Sequence, residues 1–379
     1  MIGIQLGPVD SWFFRDGTPF TAGSTPQDSV NSLFPPYPPT IVGALRVALA
    51  LDRGWNGRGR WPSQLNAVLG NGPEDLGKLS FDGPFLIQDQ KPLFRVPRHL
   101  LGSIESQGWI PGNLLRPGLP VNCDLGDGVE LPEMPSTDGE PANLKPVADQ
   151  WLTQDGMNAV LRGHMPDRSH VVPSKCLWSP EARTGLERNE HRTAKESRLY
   201  STWHVRPHTS VSLGARISGL PPTWSPPRRL VTLGGESRLA ECKPWDVEAE
   251  LKLMMPLDVI AAKERLTLVA LSPLDVGEEV VLGRRPLEIC GVPGLGALDV
   301  VSACLQRPQR IGGWDSLRRC PLPLRSILPP GSVLFCRLSE PPSIKMRSSC
   351  NMAHVGSRQE WGFGLVALGL WPNDCEVQK

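Results

Sequence analysis

Glycine and proline interrupt this chain so often that long helices cannot dominate its fold. The 379 residues include 40 prolines and 38 glycines, about a fifth of the sequence. Proline removes a backbone donor and clashes inside a helix, while glycine costs conformational entropy there. Turns and loops must therefore be frequent, and the sequence predicts a strand-rich α+β fold.

Length and charge narrow the class of protein further. The chain fits two domains of roughly 150 to 200 residues, each large enough for its own core. Hydrophobic residues make up 40% and charged residues 21%, which excludes a wholly disordered or collagen-like chain. Because 40 basic residues oppose 39 acidic ones, any surface for nucleic acid must be a local patch.

Cysteine and histidine spacing gives no sign of a metal site. The nine cysteines and seven histidines are scattered, and no CxxC pair occurs, so we expect buried or free thiols and no metal or cofactor. The first ten residues do not resemble a signal peptide, and the longest uncharged apolar stretch, 361–372, is too short to span a bilayer. The sequence therefore predicts a soluble cytoplasmic protein.

Hydrophobic periodicity predicts individual elements. Prolines 35, 36, 38 and 39 predict an extended connection, followed by a helix over 41–53 with Thr40 as its N-cap. The 111–146 segment is acidic, rich in proline and without an apolar period, which predicts a loop insertion. Alternating or continuous apolar residues predict strands at 2–6, 211–217, 266–271, 333–338 and 363–370.

Two basic stretches are candidates for nucleic-acid binding. In 183–208, six cations oppose three glutamates, and Tyr200 and Trp203 lie among them. Cations neutralise phosphates and aromatic faces stack on bases, although a solvated charged hairpin is the alternative. In the second stretch a single acidic residue, Asp315, opposes five arginines: Arg307, Arg310, Arg318, Arg319 and Arg325.

Three histidines in the first basic stretch leave a catalytic alternative open. His191, His204 and His208 would suit acid–base cleavage of RNA if the fold brought them together. Clustered histidines beside arginines more often bind phosphate or lie on the surface. The sequence contains no GxSxG motif for a hydrolytic nucleophile.

The most informative motif lies near the C-terminus, where Trp361-Gly362-Phe363-Gly364 is followed by Leu368-Gly369. Glycine has no Cβ atom, so a phosphodiester or another backbone can come within hydrogen-bonding distance of main-chain amides. The spacing resembles the glycine-rich loop of the RAMP superfamily of CRISPR RNA-binding proteins.

Further motifs, in matching chain order, strengthen this resemblance. They are Trp12-Phe13-Phe14-Arg15-Asp16-Gly17-Thr18-Pro19-Phe20, Phe34-Pro35-Pro36, Thr40-Ile41-Val42-Gly43-Ala44-Leu45-Arg46, Arg183-Thr184-Gly185-Leu186, Leu233-Gly234-Gly235-Glu236, Gly312-Gly313-Trp314-Asp315 and Pro330-Gly331-Ser332-Val333. Together they resemble the third-subunit family of the type III-B CRISPR (Cmr) effector complex. The resemblance covers essentially the whole chain.

The resemblance implies two ferredoxin-like (RRM-like) domains with long loop insertions, over residues 1–180 and 181–379. It implies a non-catalytic, RNA-binding subunit of a ribonucleoprotein for antiviral defence, which holds the 5′ handle of a CRISPR RNA. The implied partners are that RNA, the large polymerase-like, cyclase-bearing subunit, other RAMP subunits and, indirectly, target RNA. No membrane partner is implied.

The residues expected to contact RNA come from the basic stretches and the matched motifs. They are Arg15, Arg46, Arg183, Arg188, His191, Arg192, Lys195, Arg206, Arg310, Gly362, Phe363 and Gly364. The alternatives are a metal-independent RAMP endoribonuclease that processes CRISPR RNA, and an adaptor that touches only protein. RNA-processing relatives place a catalytic histidine near their first helix, and residues 41–53 contain none.

Overall fold

The computed structural model describes residues 1–15, 29–106, 108–124, 126–135, 143–191, 193–254, 257–276, 287–290, 292, 295–315, 317–340 and 352–372. The chain divides into two compact units. Unit 1 contains Met1–Gln90, Lys175–Val247 and Arg310–Arg325, and unit 2 contains Lys91–Ser174, Glu248–Gln309 and Ser326–Lys379. The sequence predicts one boundary between residues 180 and 181. Instead both units combine three segments, because strands distant in the sequence pair with one another.

Strands make up most of the regular structure. In chain order they are β1 (Ile2–Pro8), β2 (Ser29–Val30), β3 (Ser80–Gln88), β4 (Lys91–Arg95), β5 (Leu100–Glu105), β6 (Gly108–Leu114), β7 (Arg116–Cys123), β8 (Gly126–Glu133), β9 (Lys145–Pro146), β10 (Gln150–Leu152), β11 (Val171–Pro173), β12 (Trp178–Arg188), β13 (Ala194–Pro207), β14 (Val211–Ser218), β15 (Leu230–Thr232), β16 (Leu239–Trp245), β17 (Arg265–Ala270), β18 (Ile289–Cys290), β19 (Leu298–Cys304), β20 (Gln309–Ile311), β21 (Trp314–Asp315), β22 (Cys320–Pro321), β23 (Arg325–Ile327), β24 (Val333–Leu338), β25 (Met352–Val355) and β26 (Leu365–Gly369). The helices are α1 (Pro38–Asp52), α2 (Asn66–Leu69), α3 (Gln154–Leu161), α4 (Val247–Glu250) and α5 (Leu257–Lys263), with short 3₁₀ turns at Ser63–Leu65, Arg168–His170 and Ser174–Cys176.

The main sheet of unit 1 is antiparallel and has β1 at its centre. Its strand order is β3-β14-β1-β16-β15. Ile4 pairs with Ala215 and Leu6 pairs with Leu213, and all four side chains are buried because alternate residues of a strand share one face. The strands predicted at 2–6 and 211–217 are confirmed.

Helix α1 begins earlier than the sequence predicts. Pro38 and Pro39 occupy its first two positions, and Tyr37, which has an extended backbone, is the N-cap. Proline suits these positions because the first helical amides have no intrahelical partner to lose. Thr40 therefore lies inside the helix, and the buried face carries apolar residues such as Ile41.

Unit 2 contains a second antiparallel sheet with the strand order β18-β25-β26-β17-β24-β19. Its apolar side chains join one buried cluster that includes Leu268, Leu334 and Val366. Helix α3 packs beside β26, where the Leu370 amide donates to the Leu161 carbonyl at 2.7 Å. The strands predicted at 266–271, 333–338 and 363–370 are confirmed, with small shifts at their ends.

The 111–146 insertion is not the loop that the sequence predicts. Its described residues include β7 and β8, which pair as an antiparallel hairpin. Pro117 pairs with Pro132, and Pro120 pairs with Glu130. The two strands form a sheet of their own, so each strand has one edge that pairs with no further strand. A proline whose missing amide faces that edge removes no hydrogen bond from the sheet. The density of proline is therefore compatible with strands here, and the loop prediction is wrong for this part.

The glycine-rich C-terminal loop is packed against its own unit. Gly364 has a φ of +76°, and its amide donates to the Pro273 carbonyl at 2.9 Å. A Cβ atom at this position would collide with the carbonyl oxygen of Val355 in β25, and the neighbouring Phe363 is fully buried. The close approach that Gly364 permits is made to β25. We therefore correct the assignment of Phe363 and Gly364 from RNA contacts to structural residues.

Replacing Gly364 with valine should therefore destabilise unit 2 directly. The positive φ and the collision with Val355 together predict a loss of at least about 2 kcal/mol in the free energy of unfolding. Chemical denaturation measures this loss. Gly296→Val is the matched control, because a Cβ atom at Gly296 meets nothing within 4 Å. Normal stability with weakened RNA binding in Gly364→Val would contradict the structural assignment.

Candidate nucleic-acid interface

The first basic stretch forms a long β-hairpin in unit 1. Strands β12 and β13 pair from Trp178 with Pro207 at one end to Arg188 with Ala194 at the other. The 11 residues of β12 span roughly 33 Å at ~3.3 Å per residue. In the turn, the Asn189 side chain accepts hydrogen bonds from the amides of His191 and Thr193, both at 3.0 Å. The first basic stretch is therefore a β-hairpin, and RNA binding by its cations stays a prediction.

Carboxylates neutralise two predicted RNA contacts at the base of this hairpin. Arg183 Nη2 lies 2.8 Å from Asp10 Oδ2, and Arg183 Nε donates to Glu181 Oε1 at 2.7 Å. Arg206 donates to Glu181 and, at 2.8 Å, to Asp10 Oδ1. Hydrogen bonds, first from Arg206 and then from Arg183, hold the pKa values of both carboxyl groups below their usual range.

His204 lies behind this group of ion pairs and is fully buried. The Phe13 ring stacks on its imidazole at 5.0 Å, and Nε2 lies 3.2 Å from Glu236 Oε2. Burial lowers the pKa of His204, although the charge of Glu236 acts in the opposite direction. The imidazole is therefore held neutral and away from solvent.

The three histidines of the catalytic alternative do not form one group. His191 lies in the turn between β12 and β13 and is exposed. His208 follows β13 at the other end of the hairpin, where its Nδ1 lies 2.9 Å from the Cys176 carbonyl. Acid–base cleavage needs groups within hydrogen-bonding reach of the same phosphodiester, and these positions do not provide that.

Arg46 belongs to the fold. Its side chain is buried in α1, and burial lowers its pKa to about 10. The guanidinium donates to the carbonyls of Leu69 at 2.8 Å, Gly72 at 3.1 Å and Asp75 at 2.8 Å. It thus fixes the turn after α2, and we correct its predicted role as an RNA contact.

The second basic stretch is exposed. Within the 310–325 segment of unit 1, four arginines reach solvent: Arg310, Arg318, Arg319 and Arg325. Asp315 is only 4% exposed, and its Oδ1 accepts from the amides of Leu317 and Arg318 at 2.9 and 3.0 Å. Trp314, beside it, is 60% exposed. Asp315 therefore stabilises the turn, and its Oδ2 lies 3.8 Å from Arg318 Nε, while the four arginines and the indole remain exposed.

The remaining predicted contacts lie in three separate parts of the chain. Arg15 is exposed, and its backbone bridges to Ser32. Arg192 lies outside the described residues, and Arg188 and Lys195 belong to β12 and β13. Gly362 has a φ of +88° in the C-terminal loop.

Two groups of residues escaped the sequence prediction. Arg358 has a φ of +58°, and its guanidinium lies 5.2 Å from the Trp361 ring and 5.1 Å from the Phe363 ring, inside the glycine-rich loop. A second set of arginines and tryptophans follows α1 at residues 53–61. The signal in that stretch is three arginines and two tryptophans without an acidic residue.

The acidic, histidine and cysteine side chains of the described residues are not grouped for metal binding. Within the described ranges, no group of three or more His, Cys, Asp and Glu side chains is arranged to hold a metal ion. The described cysteines are free thiols, and burial raises the pKa values of Cys242 and Cys304 to about 12. None of the described helices is long and apolar enough to cross a membrane.

Solved structures similar to this chain are subunits of CRISPR complexes. One chain of a type III-B Cmr-beta complex bound to cognate target RNA and AMPPnP has a TM-score of 0.51 and 16% identity, covering 88% of this chain and 86% of that one. A chain of Cmr-beta bound to cognate target RNA has a TM-score of 0.49, 16% identity and the same coverage. A chain of a type III-A Csm3–Csm4 subcomplex has a TM-score of 0.38 and 9% identity, covering 90% and 94%.

The sequence itself identifies the family. No curated protein matches the chain. Residues 4–371 match the sequence model described as CRISPR-associated protein (Cas_Cmr3), which spans both units and the two basic stretches. The chain therefore belongs to the Cas_Cmr3 family of CRISPR-associated proteins.

Proposed function

We propose that this chain is a non-catalytic RNA-binding subunit of a cytoplasmic type III-B CRISPR effector complex, where it holds the 5′ handle of the CRISPR RNA. The observation that carries the proposal is the 310–325 segment. This segment carries four exposed arginines and the exposed indole of Trp314, and its one carboxylate, Asp315, is buried. Exposed cations beside an aromatic face suit the phosphates and bases of single-stranded RNA. Membership of the Cas_Cmr3 family supports the CRISPR context.

The strand order of both units supports two ferredoxin-like domains. In unit 1 the order β16-β1-β14-β3, numbered by position in the chain, is 4-1-3-2. In unit 2 the order β26-β17-β24-β19 repeats it. This is the order of the ferredoxin-like βαββαβ motif. In residues 219–238, all of which are described, no α-helix follows β14, so unit 1 lacks the second helix of that motif.

Binding should be electrostatic and spread over both basic stretches. Replacing Arg310, Arg318 and Arg319 with alanine removes three cations that face solvent. Each lost phosphate contact lowers the slope of log K against log salt by about 0.7 on a single strand, so the slope should fall by roughly two. The hairpin variant Arg188→Ala/Arg192→Ala/Lys195→Ala should lower the slope similarly. Fluorescence anisotropy with repeat-handle RNA across a salt series measures both slopes.

A charge-matched variant separates contact from net charge. Lys78, Lys91 and Lys175 are exposed lysines outside both stretches, and replacing all three with alanine should leave the slope close to that of the wild type. If the arginine variants behave like this lysine variant, the basic stretches are solvated surfaces and the proposal fails for them.

The histidine positions support a binding subunit over a nuclease. Replacing His191 and His208 with alanine and His204 with glutamine should leave target-RNA cutting by the reconstituted complex unchanged at full RNA occupancy. A general acid or base contributes about 100-fold or more to the rate, so its loss would be obvious in single-turnover cleavage. Incubation of the purified wild type with repeat RNA in EDTA should give no discrete product. A collapse of cutting, or such a product, would favour the endoribonuclease.

The β7–β8 hairpin is the surface that we assign to the large cyclase-bearing subunit. Its exposed apolar side chains include Leu119, 81% exposed, and Leu131, 45% exposed, with Val121 and Met134 nearby in sequence. Exposed apolar groups on a separate hairpin are typical of surfaces that are covered in an assembly. Antiparallel pairing within the hairpin keeps these side chains in a defined arrangement before a partner binds.

Introducing charge on this hairpin should weaken assembly without unfolding the chain. Leu119→Asp/Leu131→Asp is expected to lower recovery of the complex with the co-expressed large subunit by at least tenfold, while the thermal unfolding midpoint stays within a few degrees. Leu230→Asp is the control, because Leu230 is 54% exposed in β15, outside the hairpin. Equal recovery of both variants would place the docking surface elsewhere.

A further inference from the structure

A third cationic surface follows helix α1 in unit 1, outside both basic stretches. We name it the Trp–Arg patch and define it by these residues: Arg53, Trp55, Arg58, Arg60, Trp61, Trp224, Arg228 and Arg229. One part comes from the loop after α1 and the other from the segment before β15. The Arg53 guanidinium joins them, because its Nη2 donates to the Thr223 carbonyl at 3.2 Å.

Glycine gives the loop after α1 its shape. Gly54, Gly57 and Gly59 have φ values of +86°, +79° and +63°, which non-glycine residues rarely adopt. The Asn56 side chain accepts from the Arg58 amide at 3.0 Å, and the Trp55 indole donates to the Arg58 carbonyl at 3.2 Å. The loop therefore has defined internal hydrogen bonds in the absence of a ligand.

The two tryptophans of the loop, Trp55 and Trp61, pack edge to face. Their ring centroids lie 5.9 Å apart at an interplanar angle of 85°. Trp61 Nε1 donates to Asn66 Oδ1 at 3.0 Å and to the Gly70 carbonyl at 3.1 Å, and the buried Arg46 guanidinium lies 5.0 Å from its ring. Both side chains remain partly exposed. Rigid aromatic groups lose little conformational entropy when a base stacks on them.

Cations dominate the charge of the patch. Arg53, Arg58, Arg60 and Arg228 are exposed, and residues 53–61 contain no acidic side chain. The nearby carboxylate of Asp52 is paired with Arg229 at 2.7 Å. Arg53 stacks on Trp224 with its guanidinium carbon 4.6 Å from the ring centroid. The patch therefore combines four exposed cations with partly exposed indole rings.

We propose that the Trp–Arg patch binds single-stranded RNA as a second contact surface of this subunit, an inference that rests on the proposed RNA-binding function. Arginine donates two parallel hydrogen bonds to a phosphate, and an indole face accepts any stacked base. An acidic protein segment would satisfy the cations alone, whereas RNA also uses the indole faces. The ligand is thus recognised by its backbone and its stacking and without base-specific hydrogen bonds.

The full-length chain and fluorescein-labelled oligouridine of roughly 20 nucleotides test the proposal. Arg58→Ala/Arg60→Ala should lower the slope of log K against log salt by roughly 1.4, at about 0.7 per contact. The matched control Lys78→Ala/Lys175→Ala should not change it. Trp55→Ala should weaken binding about 5- to 150-fold, as expected for one lost stack, and Trp55→Phe should retain most of the affinity. Ultraviolet crosslinking should recover the peptide that contains residues 53–61.

The outcomes distinguish this inference from the proposed function. If the 310–325 variant loses salt dependence while Arg58→Ala/Arg60→Ala matches the lysine control, the patch proposal is overturned and the RNA-binding function stands. If the wild-type chain shows no salt-dependent RNA binding at all, both fail. If the patch variant keeps its RNA affinity but loses a protein subunit on co-purification, the patch binds protein and the inference is wrong. The arginines are exposed, so their replacement tests the proposal even if Trp55→Ala unfolds.

Discussion

In each unit, the pairing of a central strand with two strands remote in the sequence is the constraint on which the rest of the structure depends. In unit 1, β1 pairs with β14 and with β16. In unit 2, β17 pairs with β24 and with β26. Closing such long loops costs little more than closing short ones, because the entropy grows only with the logarithm of loop length. The chain between paired strands can therefore carry hairpins and basic loops without disturbing the sheets.

Whether an arginine is available to bind a phosphate depends on the carboxylates that already pair with it. At the base of the β12–β13 hairpin, Arg183 and Arg206 share the carboxylates of Asp10 and Glu181. Ion pairs this exposed contribute about 0 to 1 kcal/mol each, so the network fixes geometry more than it adds stability. A phosphate that bound Arg206 would leave the carboxylates of Asp10 and Glu181 with one cation fewer between them. In the 310–325 segment, Asp315 is bonded to backbone amides, and its Oδ2 lies at the longer distance of 3.8 Å from Nε of Arg318, whose side chain is 80% exposed.

Local sequence patterns predicted those parts of the fold that depend on local physics. Alternating apolar residues located β1 and β14, because a strand half buried in a sheet imposes a period of two. The same reasoning failed for β7 and β8, where prolines such as Pro117 and Pro120 occupy the strands of a separate two-stranded sheet. The sequence of a strand does not show whether a further strand will pair with its outer edge.

Two predicted site residues, Arg46 and Gly364, also have roles that local sequence patterns did not predict. Arg46 has the sequence context of an exposed helical cation, yet it is buried, because the carbonyls of Leu69, Gly72 and Asp75 converge on its guanidinium. Gly364 has the spacing of an RNA-binding loop, yet the backbone that approaches it is Val355. In both cases the sequence correctly indicated a residue that another group approaches closely, but that group comes from a different element of the fold. Tertiary contacts assign the role, and sequence spacing only restricts the choice.

The net charge of this protein does not indicate how charge is distributed over its surface. A formal charge of +1 is compatible with exposed cationic patches because carboxylates such as Asp315 and Asp52 are already bonded within the fold. Cation–π stacking acts differently from an ion pair. When Arg53 lies over Trp224, the contact uses the face of the guanidinium and leaves donors at its edge. An arginine stacked in this way is oriented without being neutralised, which is the state that favours capture of a phosphate.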